Sequence, residues 1–517
     1  MEREALKYIF DFNDKSDNKK SSYWLTRFII LRFLGFVYLI AFLTLAFQVI
    51  PLIGENGLLP ADNFLNAIKS NFDSSLEAFW KFPTIFWIHI SDNWLIFFAW
   101  LGVILSLIVF FGYANSILLF ILWFLYISFV HIGQLWYGYG WEIQLLETGF
   151  LAIFLVPFLD AKPFPKTSPP LLIIWMYRWL TFRIYLGAGL IKIRGDECWR
   201  KLTCMYYHYE TQPVPNPLSP FFHFLPRWFH KIEVLWNHFI ELIAPFFVFY
   251  PRKLRIIAGI LLFSFQFVLI LGGNLSFLNW LTIIPGLALF DDEFLKKILP
   301  EKLVRKAEKA EENSKPISKK QKIIVGIVFL IMILLSIPVV QNLLSSRQIM
   351  NTSFNNWHLV NTYGAFGSIG KERGELVIQG TLDNEINENT EWKEYEFKAK
   401  PTNVNRNLPI IAPYQPRIDW QIWFAAMSIP EREPWLIHFV WKLLHNDPDV
   451  ISLTSENPFP DSPPKYIRIE YYKYEFAEMS NKAVWNRTYV GTWLKPLSKE
   501  TPGLKKFIES NNWEVYE

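Results

Sequence analysis

Charge and cysteine are both scarce in this chain. Charged residues make up 19% of the 517 residues, and there are only 2 Cys. Soluble proteins carry about a quarter of charged residues, so this composition is unusual for one. The net charge of +4 is too small to favour a nucleic acid as partner.

Familiar catalytic motifs are missing as well. The sequence contains no Walker loop, dinucleotide fingerprint, nucleophile elbow or zinc-protease motif. Cys198 and Cys204 are six positions apart, which is not the Cys-x-x-Cys spacing of thioredoxin-like oxidoreductases. We therefore predict no cofactor and no metal site.

Hydrophobic residues are abundant instead: they make up 52% of the chain, and aromatic residues 18%. Several apolar runs are long enough to cross a hydrocarbon core of about 30 Å, which takes roughly 20 helical residues. This pattern predicts a polytopic α-helical membrane protein with about eight or nine transmembrane helices. The expected spans are 28–49, 92–111, 115–133, 143–159, 171–192, 235–250, 256–271, 275–290 and 323–344. The fourth, sixth and eighth are short, and re-entrant or tilted segments are the alternative there.

Basic residues predict the orientation, because they are retained in cytoplasmic loops. With the segment 1–27 in the cytoplasm, alternation places Asp160–Pro170, Tyr250–Arg255 and the basic linker 291–322 there too. The exterior loop 192–235, the segment Pro51–Ser91 and the tail then lie on the other side. The membrane domain covers 28–290, and 323–344 is the last transmembrane helix.

The tail 345–517 has the pattern of a separate extracytoplasmic domain. Four β-rich runs (375–381, 392–400, 466–476 and 487–493) are bounded by Gly, Asn and Pro, and helical patterns interrupt them near 419–427 and 434–445. We predict a β-rich α+β domain, with a β-sandwich as the alternative. Its tryptophans either pack it onto the membrane surface or the Lys192 loop, or fill its own core, and the sequence leaves these alternatives open. They are Trp420, Trp423, Trp435 and Trp441.

Ionisable residues inside apolar runs are costly and need a partner. Glu147, Arg178 and Arg183 are such residues, and a Glu147–Arg183 pair would hold the bundle together without chemistry. The other interpretation is a polar cavity that opens outward beneath the exterior loop, with Lys192 and Arg194 at its mouth.

The exterior loop and its flanks concentrate polar and aromatic residues. A hydrogen-bonded network that braces the loop is one interpretation. His238 and Glu241 share a helical face and would be a weak metal signal. Cys198 and Cys204 form a disulfide or a redox-active pair, or they are two buried free thiols. The candidate binding residues of this region are Arg194, Asp196, Trp199, His208, Tyr209, Glu210, Asn216, His230, Asn237, His238 and Glu241.

Long stretches of the chain resemble the lipase maturation factor family. The first is IKIRGDECWRKLTCMYYHYETQPVPNPLS (191–219), followed by WFHKIEVLWNHFIELIAPFF (228–247). Within the tail, NTYGAFGSIGKERGELVIQGT (361–381) and PYQPRIDWQIWFAA (413–426) are similar too, and so is the N-terminal segment 31–60. The family's membrane core in turn resembles that of vitamin K-dependent carboxylases.

The resemblance implies a membrane protein that assists the folding of secreted lipases. Its partners would be membrane lipids and secreted client proteins. It would reside in the endoplasmic reticulum membrane, or in the plasma membrane of a bacterium, with its tail on the non-cytoplasmic side. The alternative is a membrane-embedded enzyme related to the carboxylases, with Lys192, His208 and Glu210 as acid–base candidates.

Overall fold

Apolar runs in the first two thirds of the chain form long helices. The computed structural model describes residues 22–516, so most of the predicted segment 1–27 lies outside the described residues. Within 22–516, five helices are long and apolar enough to cross a membrane, and two apolar helices are shorter. The chain is thus a multi-pass membrane protein. The five are Trp24–Ile53, Asp92–Phe111, Arg227–Phe249, Arg252–Gly272 and Lys319–Leu344.

The helical region has sixteen α-helices within the described residues. A π-helical turn (Phe239–Ile243) and a 3-10 segment (Ala244–Phe249) continue the helix Arg227–His238. The helices are α1 (Trp24–Ile53), α2 (Ala61–Lys69), α3 (Ser75–Lys81), α4 (Asp92–Phe111), α5 (Ser116–Ile132), α6 (Gly140–Leu155), α7 (Leu171–Arg194), α8 (Glu197–Arg200), α9 (Met205–Thr211), α10 (Ser219–His223), α11 (Arg227–His238), α12 (Arg252–Gly272), α13 (Leu278–Gly286), α14 (Asp292–Leu295), α15 (Glu301–Glu312) and α16 (Lys319–Leu344).

The connection between α7 and α11 is shorter than the loop 192–235 that the sequence predicts. Helix α7 continues to Arg194, because basic residues in a last turn interact favourably with the helix dipole. Helix α11 begins directly after Pro226. We call residues 195–226 the cysteine loop; it contains the short helices α8, α9 and α10.

The segments that connect the helices lie at two opposite ends of the bundle, which we call the basic end and the domain end. At the basic end, Ala114 N donates to Ala161 O (3.0 Å) and Lys315 N to Lys166 O (2.8 Å). At the domain end, the cysteine loop, the segment 51–91 and the C-terminal domain meet. His438 Nδ1 there lies 2.9 Å from the carbonyl of Leu58.

The C-terminal domain is built on a four-stranded antiparallel sheet with the order β2-β1-β5-β6. Strand β1 pairs with β5 from Arg373↔Tyr474 to Thr381↔Tyr466. The second sheet is only the short pair β3–β4, so an α+β domain fits and a β-sandwich is not confirmed. The elements are β1 (Arg373–Thr381), β2 (Lys393–Glu394), β3 (Glu396–Phe397), α17 (Arg417–Ala425), α18 (Pro434–Leu444), α19 (Pro448–Ile451), β4 (Thr454–Glu456), β5 (Tyr466–Phe476), β6 (Trp485–Leu497) and α20 (Leu504–Ser510).

Tryptophans of this domain contact the helical bundle as well as the domain's own core. Trp420 lies edge-on to Trp141 of α6, with ring centroids 5.2 Å apart. Trp435 contacts Trp136 at 5.2 Å in the same way. Trp441, in contrast, donates to Glu514 O inside the domain (3.1 Å). Some tryptophans therefore join the domain to the bundle through aromatic contacts, and others form part of the domain's own core.

Candidate functional site at the domain end

The predicted Glu147–Arg183 pair forms the centre of the seam between the bundle and the C-terminal domain. Both side chains are buried and form an ion pair. The domain completes the site: Arg183 Nη1 donates to Asn361 O (2.8 Å), and Asn361 N and the Tyr363 hydroxyl donate to Glu147 Oε2 (3.0 and 2.7 Å). The two charges compensate each other, as burial requires, and neutral groups from the tail add hydrogen bonds to both.

Lys192 is part of a second buried pair. Its Nζ donates to Glu241 Oε1 (2.6 Å) and to Asn237 Oδ1 (2.9 Å). The ring of Trp199 lies 5.0 Å from the same Nζ. Lys192 is 5% exposed and is thus a buried partner of Glu241 and Asn237, whereas a polar cavity that opens outward stays a prediction.

His238 and Glu241 do not form a joint ligand pair. The His238 ring lies 3.1 Å from the carbonyl of Trp199, whereas the Glu241 carboxylate is bound to Lys192. The π-helical turn Phe239–Ile243 begins directly after His238 and contains Glu241. Within residues 22–516, no group of three or more His, Cys, Asp or Glu could hold a metal ion.

Arg178 belongs to a different part of the bundle. Its guanidinium donates to the Tyr23 hydroxyl (2.7 Å) and to the carbonyl of Ala288 (3.1 Å). These partners lie towards the basic end. Arg194, at the domain end of the same helix, donates to the carbonyl of Leu343 (2.8 Å).

The cysteine loop begins with a disulfide-closed turn. Cys198 and Cys204 are bonded, with Cα atoms 4.8 Å apart. Leu202, between them, has φ 58°, so the chain leaves the helical path there and the two sulfurs can meet. Asp196 caps the first helix, since its Oδ1 accepts from Cys198 N (2.9 Å).

The same turn is fastened to the C-terminal domain. Asp196 N donates to Gly367 O (2.9 Å), and Trp199 Nε1 donates to Phe366 O (2.8 Å). A Cβ at Gly195 would collide with that Gly367 carbonyl, so the close approach requires glycine at this position.

Glu210 joins the end of helix α9 to strand β5. Its carboxylate accepts from Phe476 N (2.8 Å), and burial raises the pKa of this carboxyl. Arg373 of β1 donates to the carbonyls of Glu210 (2.9 Å), Gln212 (2.5 Å) and Pro213 (2.9 Å). Arg373 is itself paired with buried Glu375. Glu210 is thus a structural link rather than a free base.

His208 is buried beside the Phe366 ring, with centroids 4.9 Å apart. Burial, and then the positive charge of Lys192, lowers the pKa of His208 to about 4. The imidazole is therefore neutral at pH 7.

The remaining candidate residues brace the loop. The Tyr209 hydroxyl donates to Glu233 (2.7 Å), and His230 Nδ1 lies 2.7 Å from the other oxygen of that carboxylate. Asn216 Nδ2 donates to Leu271 O (2.9 Å), and its Oδ1 accepts from Leu218 N (2.9 Å).

Sequence reasoning missed the tail residues of this site. Arg417 of α17 is fully buried and pairs with Glu142 of α6 (2.9 Å). Gln48 Oε1 accepts from the backbone N of Arg417 (2.9 Å). The sequence signal for Arg417 was a charged residue in a stretch rich in Trp and Ile. A charged residue buried in such a stretch needs a buried partner.

Two family models match this chain along its length. The lipase maturation factor transmembrane domain matches residues 25–297, and the lipase maturation factor C-terminal domain matches residues 359–495. The chain belongs to the lipase maturation factor family. The family's two domains are thus the two bodies whose seam is described above.

Curated relatives agree with the family models. Lipase maturation factor 1 of Homo sapiens is 44% identical over 522 residues, with 96% of this chain and 91% of the relative covered. The Bos taurus protein of that name is 45% identical over 96% of this chain and 92% of its own length. Lipase maturation factor 2 of Xenopus tropicalis is 28% identical over 88% and 80%. No solved structure matches the chain.

Proposed function

We propose that this protein assists the maturation of secreted lipases on the non-cytoplasmic side of a membrane. The observation that carries this function is the 44% identity to human lipase maturation factor 1 over 96% of the chain. Since both family domains are present in order, the whole chain takes part in the role. Lipase clients and membrane lipids are its partners.

The proposed orientation places the basic end in the cytoplasm and the domain end outside. Nine spans, with the predicted cytoplasmic segment 1–27 and an exterior tail 345–517, are consistent with two observations. Lys and Arg are frequent in the turns of the basic end, and the three segments predicted to be exterior meet at the other end. In a eukaryotic cell the protein then resides in the endoplasmic reticulum membrane, and in a bacterium it resides in the plasma membrane.

The proposed site is the platform formed by the cysteine loop and the C-terminal domain. Its polar residues position the platform and are not reactive groups: Lys192, Asn237 and Glu241 bind one another, and Glu210 binds the backbone of Phe476. A rigid surface of this kind suits a factor that holds a client. Partly folded proteins expose hydrophobic surface and unpaired strand edges, and a factor of this kind covers them.

The carboxylase-like alternative is not favoured. The curated relatives are named as maturation factors. Two of the acid–base candidates, Lys192 and Glu210, are bound by their own chain, and His208 is buried. An enzyme would need such groups within hydrogen-bond reach of a substrate.

Rescue of lipase secretion tests the proposal. Cells that lack their own maturation factor are supplied with this chain and a secreted lipase, and lipase activity in the medium is measured. We expect lipase activity to be restored and the lipase to co-purify with the chain. We also expect the covalent mass of the lipase to be unchanged. Failure of the full-length chain to restore activity at normal membrane levels contradicts the function.

Two variants separate a holding platform from an enzyme. His208→Ala removes the imidazole without removing a partner of the seam, and we expect it to restore lipase activity. Arg373→Ala removes the bonds to the cysteine loop, and we expect it to lose most of the activity. A covalently modified lipase product that disappears with His208→Ala would establish the enzyme instead.

A further inference from the structure

Three asparagines at the domain end begin an Asn-x-Ser/Thr sequence, which is the acceptor pattern of N-linked glycosylation. They are Asn274, Asn351 and Asn486. The pattern treats the three sites alike, but the structure gives them different surroundings.

Asn274 is a structural amide. It is 2% exposed, and its Nδ2 donates to Pro409 O (2.8 Å) and Pro215 O (3.2 Å). Its Oδ1 accepts from the backbone N of Ile411 and of Ala412 (both 3.0 Å). A glycan on this nitrogen would prevent the C-terminal domain from docking.

Asn351 lies a few residues beyond Leu344, the last residue of α16. Even fully extended, that chain reaches at most about 25 Å from the helix end, which keeps the acceptor close to the membrane. Its Oδ1 accepts from Gly364 N (3.3 Å) and lies against Gly140, where a Cβ would collide with it.

Asn486 differs from Asn274 in its exposure, and from Asn351 in its hydrogen bonding and in its distance along the chain from α16. It lies on β6, the edge strand of the sheet, and the sequon residues Asn486, Arg487 and Thr488 are all exposed. Within residues 22–516, its side-chain amide is not engaged in a hydrogen bond. A long stretch of chain separates it from α16, so a membrane-bound transferase can reach it during synthesis.

We propose that Asn486 carries an N-linked oligosaccharide, whereas Asn274 and Asn351 do not. This inference rests on the proposed exterior orientation of the tail. The donor is an oligosaccharide linked to a lipid pyrophosphate, supplied by the secretory pathway. The Nδ2 of Asn486 forms a bond to C1 of the first sugar and gives up one proton. The C1–O bond breaks, and the lipid pyrophosphate leaves with the bonding electron pair.

The glycan has a physical consequence for the edge strand. Strand β6 spans 13 residues, and Tyr489 and Val490 are 56% and 58% exposed. A long edge strand with exposed apolar side chains is a template for pairing with another chain. A bulky, hydrated glycan at Asn486 covers the start of this edge, so the protein can work among unfolded clients without pairing with itself.

Matched variants of the full-length chain, expressed in a cell line with N-linked glycosylation, test the site. We expect a single gel shift that peptide N-glycosidase removes. After removal in ¹⁸O-water, the tryptic peptide 483–487 should carry ¹⁸O-labelled Asp in place of Asn486. Asn486→Gln and Thr488→Ala should lose the shift, and Thr488→Ser should keep it.

Two further variants test the selectivity. Ser276→Ala and Ser353→Ala remove the other two acceptor patterns while keeping Asn274 and Asn351, and we expect the shift to persist in both. A shift that survives Asn486→Gln, or that is lost with Ser276→Ala or Ser353→Ala, overturns the assignment.

Protease protection in sealed microsomes distinguishes failure of this inference from failure of the orientation. An unglycosylated but protected tail overturns the glycan alone, and a digested tail overturns both. For the edge, we expect Thr488→Ala to self-associate more than Thr488→Ser in detergent solution. Equal self-association would contradict the covering role.

Discussion

At the basic end of the bundle, connecting segments and short helices cap the neighbouring helix ends. At the domain end, a separate domain supplies the partners of buried charged residues of the bundle. Asp292 illustrates the first case: its carboxylate accepts from Trp24 N (2.7 Å) and Leu25 N (2.9 Å) at the start of α1. Arg417 illustrates the second, since it reaches from α17 into the bundle to pair with Glu142.

The difference shows how much of the bundle depends on the C-terminal domain. Glu142 and Glu147 are fully buried in α6, and the domain supplies Arg417, Asn361 and Tyr363 to them. Without the domain, the carboxylate of Glu142 would lose its guanidinium partner. The tail is therefore a structural component of the membrane domain and not an appended module.

The largest loss of stability is expected when the buried Arg417–Glu142 pair at the domain end is broken. Arg417→Ala leaves Glu142 buried without its partner, which costs about 3–5 kcal/mol. We expect low membrane levels and a tail that proteases cleave readily. Arg305→Ala is the matched control, because its pair with Glu301 is exposed and such pairs contribute about 0–1 kcal/mol. Equal loss in both variants would contradict the comparison.

A smaller loss of stability is expected at Asn274, whose side-chain amide joins the helical bundle to the C-terminal domain. Asn274→Leu leaves the backbone groups of Pro409, Ile411 and Ala412 without their partner, at a cost of about 2–3 kcal/mol. Limited proteolysis should cut the tail faster than in the parent. Ser276→Ala is the control, since that hydroxyl is buried without a hydrogen-bond partner within the described residues. An unchanged cleavage rate for Asn274→Leu would show that the seam does not depend on this amide.

Acid should weaken the domain end through His208. Its pKa is lowered from the ordinary value of 6.5 to about 4 in the folded protein, so the unfolded chain binds more protons between these values. Stability is therefore complete above pH 6.5 and falls as pH drops towards 4, by about 2 kcal/mol at pH 5. The melting temperature in detergent should drop between pH 7 and pH 5, and His208→Asn should reduce the drop. A drop of the same size in the variant would exclude His208 as the cause.

The smallest effect is expected at the basic end. Asp292→Asn keeps the shape of the cap on α1 but removes its negative charge, at a cost of about 1 kcal/mol. The melting temperature should fall slightly while proteolysis of the tail stays unchanged. Faster cleavage of the tail in this variant would mean that the two ends are coupled.

Local patterns predicted many elements of this chain well. The run 466–476 is observed as β5, and the prediction of 434–445 differs from α18 by one residue. Strand alternation and a proline at a first helical turn are local signals, so one segment suffices to read them. The predicted strand 392–400 fared less well, because two short strands in different sheets replace it.

The candidate site was predictable only in outline. Glu147 and Arg183 were expected to pair because both lie in apolar helices. Their partners Asn361 and Tyr363 come from a distant part of the chain, and no spacing rule connects them. Likewise, the shared face of His238 and Glu241 suggested a joint site, but Lys192 on another helix binds Glu241.

The sequence by itself determined that this protein crosses a membrane, that it has two parts and which family it belongs to. These properties follow from apolar length, charge distribution and extended similarity, which are readable along one dimension. The tertiary structure decided which charges neutralise each other. It also shows that Lys192 is buried, and that Asn274 and Asn486 differ despite the same sequon. The physical reason is that burial and pairing depend on contacts between segments far apart in the chain.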